Sequence, residues 1–255
     1  MNISLQFLVT SSDRKLEGGI HNRNYFLSFS HTASFKNFIS CILLSIVFTI
    51  TNAQQTDLKK VFYDRSVKIV NTLELTDSGK YKTVVELLTD QYANLNQVHD
   101  KTKESIAAIK TLQLSEEEKN NRVNKEEESK TPQLRKLHER FITQLQKELT
   151  ETQIEKIKDG MTYRVMPVTY AAYQDMILTL TTEQKEKICN WLKEARELAM
   201  DEGSSEDKHK VFGKFKGRIS NYLSAQGYDM KKEEKAWQER LKEKRQRDAG
   251  QKTAQ

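Results

Sequence analysis

Over most of the chain the apolar residues recur at intervals of three and four, the pattern of helices that each bury one face. Leu58, Phe62, Ile69 and Leu73 mark a first helix. Tyr81, Val84, Val85, Leu88, Tyr92, Leu95 and Val98 mark a long second one, whose stripe extends to Ile106 and Ile109. Between Ser115 and Thr131 the stripe vanishes. The run SEEEKNNRVNKEEESKT keeps Val123 as its one apolar residue, so it reads as a solvated helix or a mobile charged linker. Pro132 then predicts the opening of a third helix carrying Leu134, Leu137, Phe141, Leu145 and Leu149.

Two further helix starts share one spelling. LTETQ (Leu149 to Gln153) and LTTEQ (Leu180 to Gln184) place a threonine three residues before a glutamine, the spacing of a capping box. Between them, in KDGMTYRVMPVTYAAYQDM, Asp159 and Gly160 can end a helix, Pro167 blocks its continuation, and Tyr163, Tyr170 and Tyr173 crowd the connection. The next helix carries Ile188, Trp191, Leu192, Ala195 and Ala199 and stops before Gly203. Ser204 or Ser205 caps its successor, on which Phe212, Phe215, Ile219, Tyr222 and Leu223 recur until Gly227. Gly213 and Gly217 fall on one face of it, which predicts the close approach of another helix in preference to ligand contact. Asp229 caps a last charged helix with Met230, Trp237 and Leu241, and the tail beyond Ala249 should fray. With only two prolines to interrupt it, the chain is expected to be an all-α bundle of about six to eight helices. One domain covers 54–249, with a charged linker near 115–131 and a disordered tail at 250–255.

The N-terminus changes the picture of where this bundle works. FISCILLSIVFTI (Phe38 to Ile50) follows Lys36 and exits through TNA, the arrangement of a secretory signal peptide cleaved after Ala53. It falls short of the roughly 20 apolar residues of a membrane span. The protein is therefore expected in the periplasm or outside the cell, with no stable membrane span after processing. Residues 1–35 are surplus to a signal peptide, as an upstream translation start would make them. Removing 1–53 lowers the formal net charge from +6 to +4 and leaves Cys189 as the one cysteine, a small partly buried side chain with no disulfide partner. So modest a positive balance suits an acidic glycan or a membrane surface and gives no reason to invoke nucleic acid.

Candidate chemistry is sparse. The sequence has no glycine-rich phosphate loop, no nucleophile elbow and no histidine pair at ligand spacing, since His99, His138 and His209 stand far apart. No cofactor and no metal are expected. Composition points instead to one region. Tyr163, Tyr170, Tyr173, Tyr222 and Tyr228, with five glycines, fall between 160 and 228, and tyrosines suit either a recognition surface or the closure of a helical core. Lys210, Lys214 and Arg218 follow at four-residue spacing and Asn221 extends the row, which can hold a carboxylate, sulfate or phosphate or simply be a solvated face paired with Glu206 and Asp207. Arg196, Glu197, Asp201 and Glu202 bring acids and a base within two turns, with His209 nearby; such carboxylates can act on glycosidic bonds, although a charge-rich chain supplies them by chance.

Four stretches carry a resemblance: KDGMTY at 158–163, PVTYAAYQDM at 167–176, WLKEARELAMDEGSSEDKH at 191–209 and FGKFKGRISNYLSAQGYD at 212–229. Together the chain resembles a family of exported proteins of Bacteroidetes-type bacteria known as a domain of unknown function. The resemblance implies export, a helical fold and genes placed beside polysaccharide-degrading enzymes, pectin-type substrates among them. It implies no activity and no catalytic residues. A second likeness rests on Leu149, Thr150, Gln153, Leu180, Thr181 and Gln184, which resemble the LTxxQ signature of small periplasmic helical chaperones. The expected function is an exported accessory protein that binds an acidic, pectin-type polysaccharide or another envelope component. The alternatives are an enzyme on acidic glycans, using Asp201 or Glu206 with His209, and a holdase-type chaperone.

Overall fold

The computed structural model describes residues 57–253, with side chains through Asp248, so the expected leader over 1–53 lies outside the described residues. Every regular element among them is helical. Helix α1 covers residues 57–70 and passes into a single 3-10 turn, Asn71–Leu73. Asp77 caps α2 (Ser78–Thr111), accepting from the Lys80 amide at 2.9 Å. This helix runs for about 50 Å and includes Ile106 and Ile109, as the stripe predicts.

Helix α3 (Glu116–Glu148) differs from expectation. The 115–131 segment takes the solvated-helix form of the two left open, and Pro132 lies inside the helix instead of opening it. The start is set by Ser115, whose hydroxyl accepts from the Glu118 amide, and by Glu116, Glu117 and Glu118, whose charges favour a helix N-terminus. Proline removes one amide from the ladder and crowds the carbonyl four residues back. Here the damage falls on an exposed face, and Gln133 Nε2 donates to the Ser129 carbonyl at 3.0 Å. Helices α2 and α3 form a hairpin whose buried residues stop at Thr102 on one arm and begin at Phe141 on the other. Its distal end is solvated on both arms.

Both capping boxes form. Thr150 opens α4 (Glu151–Met161) and Thr181 opens α6 (Thr182–Met200), each exchanging hydrogen bonds with the glutamine three residues on. The tyrosine-rich connection between them is itself a helix, α5 (Val165–Met176), in which Pro167 occupies the first turn, where a missing amide costs little. Ser204 caps α7 (Ser205–Ala225), and Gly227, at φ +94°, turns the chain out of it. Asp229 accepts from the amides of Lys231 and Lys232 at the start of α8 (Met230–Thr253), which continues past Ala249. Trp237 Nε1 donates to Asp175 and Arg240 to the carbonyls of Asp175 and Met176, fixing α8 to the end of α5.

The apolar stripes meet in two clusters. Ile69, Val84, Leu88, Phe141, Leu145, Ile157 and Met161 belong to a first core built by α1 to α4. Tyr173, Ile188, Leu192, Phe212, Ile219 and Leu223 belong to a second built by α5 to α7. Met200, at the end of α6, is buried in the first core although Ala195 and Ala199 of the same helix lie in the second. Helix α6 therefore joins the two. Gly213 and Gly217 do not serve close packing: a Cβ at either would meet nothing within 4 Å. The face they share points away from the core stripe Phe212, Phe215, Ile219, and among the described residues no neighbour of the kind their spacing predicts packs on it.

Candidate functional site

Where α6 joins the cores, α1, α2, the α4–α5 turn and the start of α7 enclose a cavity of about 390 Å³. Two glycines bring its walls together. A Cβ at Gly160 would lie 2.7 Å from Ile69 Cγ2, and one at Gly203 would lie 2.7 Å from His99 Cγ, so each position requires the missing side chain. Tyr163 and Arg164 follow Gly160 in the left-handed region, at φ 55° and 57°. That conformation costs a side-chain-bearing residue about 1–2 kcal/mol. It is held by the Arg164 amide, which donates to the Asp159 carbonyl at 2.7 Å, and it leaves the Tyr163 ring half exposed, stacked on His209 with centroids 6.1 Å apart.

The lining combines rings and cations with one carboxylate, that of Glu202. Phe62, Tyr92 and Tyr163 supply the rings; Arg65 and Lys68 stand exposed on α1, and Lys208 is buried. Lys208 Nζ donates to the carbonyls of Ala199 and Met200, at 2.8 and 3.0 Å, and so caps α6 from α7. Burial pulls its pKa down to about 8; Arg65 adds to this, while Asp201 and Glu202 oppose it. Burial likewise pushes the Tyr92 phenol far up, against the pull of Arg65.

Behind the Asp201–Ser204 turn lies an ionic network that spans four helices. Arg196, 2% exposed, donates to Glu155 Oε2 at 2.6 Å and Asp159 Oδ1 at 2.7 Å on α4. Lys158 Nζ lies 3.0 Å from Glu197 Oε2. His138, from α3, has Nδ1 2.9 Å from Asp201 Oδ2 and Nε2 3.6 Å from Glu197. His99, from α2, has Nε2 2.7 Å from the Asp201 carbonyl oxygen. Hydrogen bonds to Asp201 and Glu197 raise the His138 pKa to about 9, against burial. Burial would raise Glu197, but His138, Lys158 and Arg196 hold it at about 2. Arg196 Nε and Asp201 Oδ1 are buried with no hydrogen-bond partner among the described residues. Among the described residues no group of three or more acids, histidines or cysteines has the geometry of a metal site.

The candidate residues of the sequence divide among three places. Tyr163 lines the cavity and His209 stacks against it. Arg196 and Asp201 lie in the network behind. The remainder lie in or over the second core: Tyr173 is buried with its hydroxyl 3.4 Å from the Lys216 carbonyl oxygen, and Tyr170 is half-buried. The Tyr228 hydroxyl lies 3.1 Å from both the Thr179 carbonyl oxygen and Gln184 Oε1. Tyr222 meets Trp191 edge-on at 5.3 Å. The basic row is largely engaged: Lys210 pairs with Glu206 and Asp207, and Arg218 lies 3.5 Å from Glu194 and 4.6 Å from the Trp191 ring. Lys214 and Asn221 are exposed.

Arg65, Tyr92, Lys158, His138 and Lys208 are site residues that the sequence reading does not single out as such. Two of them had a signal. Lys208 sits on the stripe of Phe212, Phe215, Ile219 and Leu223, and His138 on that of Leu134, Phe141 and Leu145, so each is a polar residue at a core position.

Among the described residues no helix is long and apolar enough to cross a membrane. A comparison with curated proteins finds no match. The family model described as protein of unknown function (DUF3826) matches residues 59–243, and the chain belongs to that family.

Proposed function

We propose that this is an exported, non-catalytic binding protein for acidic carbohydrate, and that the junction cavity is where a sugar carboxylate is held. The observation that carries the reading is the lining: Arg65, Lys68 and Lys208 share one cavity with Phe62, Tyr92 and Tyr163. Aromatic faces suit the C–H surfaces of a sugar ring, and guanidinium and ammonium groups suit its carboxylate. Two like charges facing one space, Arg65 and Lys208, each gain from an anion placed between them. Of the residues expected to act on a glycosidic bond, Asp201 has Oδ2 bonded to His138, and Glu206 stands exposed beside Lys210; neither lines the cavity. The two LTxxQ copies are accounted for by the caps they form.

The test is a calorimetric titration of the purified protein with trigalacturonate, and with galactotriose as the neutral control. Binding of the acid alone, weakened at least tenfold by Arg65→Glu and by Tyr163→Ala, is the expected result. Because Lys208 must carry its proton, affinity should also fall as pH rises through about 8. Equal affinity for the neutral sugar, or no effect of Arg65→Glu, refutes the reading.

A further inference from the structure

On the opposite face of α2 from the cavity, an open groove of about 720 Å³ runs between α2 and α3. Asn94, Gln97 and Val98 of α2 face it, whereas Tyr92, Leu95 and Asn96 face the cavity; at about 100° per residue the two sets point in opposite directions. The two spaces are therefore separate.

Three cations, Lys136, Arg140 and Lys147, line the groove from α3. Elsewhere on that helix Lys119, Arg122, Lys130 and Arg135 each have a carboxylate within 4.0 Å. The three groove cations, with Lys125 outside it, have none among the described residues. Glu139 is the one acid of the lining, and it is paired with Arg135. Between the cations stand the carboxamides of Asn94, Gln97 and Gln144, none with a hydrogen bond to another side chain or to backbone among those described, over a half-buried floor of Val98 and Leu137. From Gln133 to Lys147 the groove follows α3 for about 20 Å.

We infer that this groove is a second binding site, for an extended polyanion whose hydroxyl and carboxylate groups meet alternating carboxamides and cations: an acidic polysaccharide chain. The lining contains no aromatic ring, so it offers no platform on which the bases of a single-stranded nucleic acid could stack. Nor does it expose an apolar ridge that could enter a membrane. The groove shares its ligand class with the cavity, but not its residues. A protein with both sites holds two segments of polymer, or two chains, on opposite sides of one helix, and its avidity for polymer exceeds that for a short acid.

The test uses the purified protein on polygalacturonate, its fully methyl-esterified form, trigalacturonate and poly-dT. The double variant Lys136→Glu/Arg140→Glu changes two exposed side chains, with its fold checked by circular dichroism; Lys147→Glu is the independent second variant. We expect polygalacturonate affinity to fall at least tenfold in the double variant and measurably in Lys147→Glu, with trigalacturonate binding at the cavity unchanged and the esterified polymer unbound. Polymer affinity equal to wild type in both variants overturns the inference, as does equal binding of the esterified polymer, absence of polymer binding, or tighter binding of poly-dT through the same residues. Loss of trigalacturonate binding on Arg65→Glu tests the cavity alone, so the two readings fail separately.

Discussion

His138 offers the sharpest test of the ionic network, because its contribution has a sign that changes the pH dependence of folding. Bonded to Asp201 and close to Glu197, its pKa stands at about 9 in the folded protein, against 6.5 for a free histidine. At about 1.4 kcal/mol per pH unit, this corresponds to at most about 3.5 kcal/mol, less some screening because His138 and Glu197 remain 21% and 33% exposed. Between those two pKa values the folded state holds a proton that the unfolded state has lost. The stabilisation is thus complete below about pH 6.5 and is lost as pH rises through about 9. Lys208 opposes this in the wild type: its folded value of about 8 lies below the ordinary 10.5, so its contribution rises with pH over that interval. The informative quantity is therefore the difference between wild type and His138→Gln, in which Lys208 cancels. Urea unfolding followed by circular dichroism from about pH 6 to about pH 10 should show that difference shrinking by about 2–3 kcal/mol. A difference that stays constant over that range would falsify the ion-pair reading of His138 and leave only its packing.

Two further substitutions probe the network and the fold. Arg196→Met leaves Glu155, Asp159 and Glu197 without their shared guanidinium and should lower the unfolding free energy by about 3–5 kcal/mol; Arg196→Lys keeps the charge but not the fork, and a lysine variant as stable as wild type would contradict the bidentate role. Gly213→Ala and Gly217→Ala, each placed in open space on α7, should stabilise by about 0.5–1 kcal/mol apiece and raise the melting temperature, whereas a lowered one would reveal a neighbour packed on that face.

What could be read from the sequence was the part decided by local rules. Thr150 and Thr181 announce their helices through the glutamine three residues on, and Gly227 ends α7, because caps and stops depend only on nearby backbone. Pro132 was misleading because its cost is local while the continuity of α3 is set by its start at Ser115 and by packing on α2 beyond it. The spacing of Gly213 and Gly217 was real, but spacing cannot say whether a partner exists. The site was least legible, because it is assembled from five separate stretches: α1, α2, α4–α5, the α6–α7 turn and α3. Arg196 and Asp201 read as chance members of a charged helix when only their neighbours in sequence are visible. Their partners Glu155, Asp159 and His138 lie about 40 to 60 residues away. Lys208 and His138 show that a polar residue on an apolar stripe is a mark such a site leaves in sequence.

The placement of the network bears on what it is for. Arg196, Lys158, Glu155 and Asp159 tie α6 to α4 where the two apolar cores meet, a place that Leu and Met could fill at equal or lower free-energy cost, since buried ion pairs lose in desolvation much of what they gain in attraction. Apolar contacts there would hold α4 against α6 in several registers, whereas a forked guanidinium between two fixed carboxylates admits one. The register matters because the turn leaving α6 is gripped by the same network. His99 holds the Asp201 carbonyl and His138 its carboxylate, Lys208 holds the two carbonyls before it, and the next residues, Glu202, Gly203 and Ser204, form the cavity wall. A slip of α6 by one residue would shift that wall relative to the cations and rings that face it from α1 and α2. The network thus sets the geometry of the cavity more than the stability of the bundle, and an apolar replacement of it is expected to leave a folded protein whose cavity is no longer held to one shape.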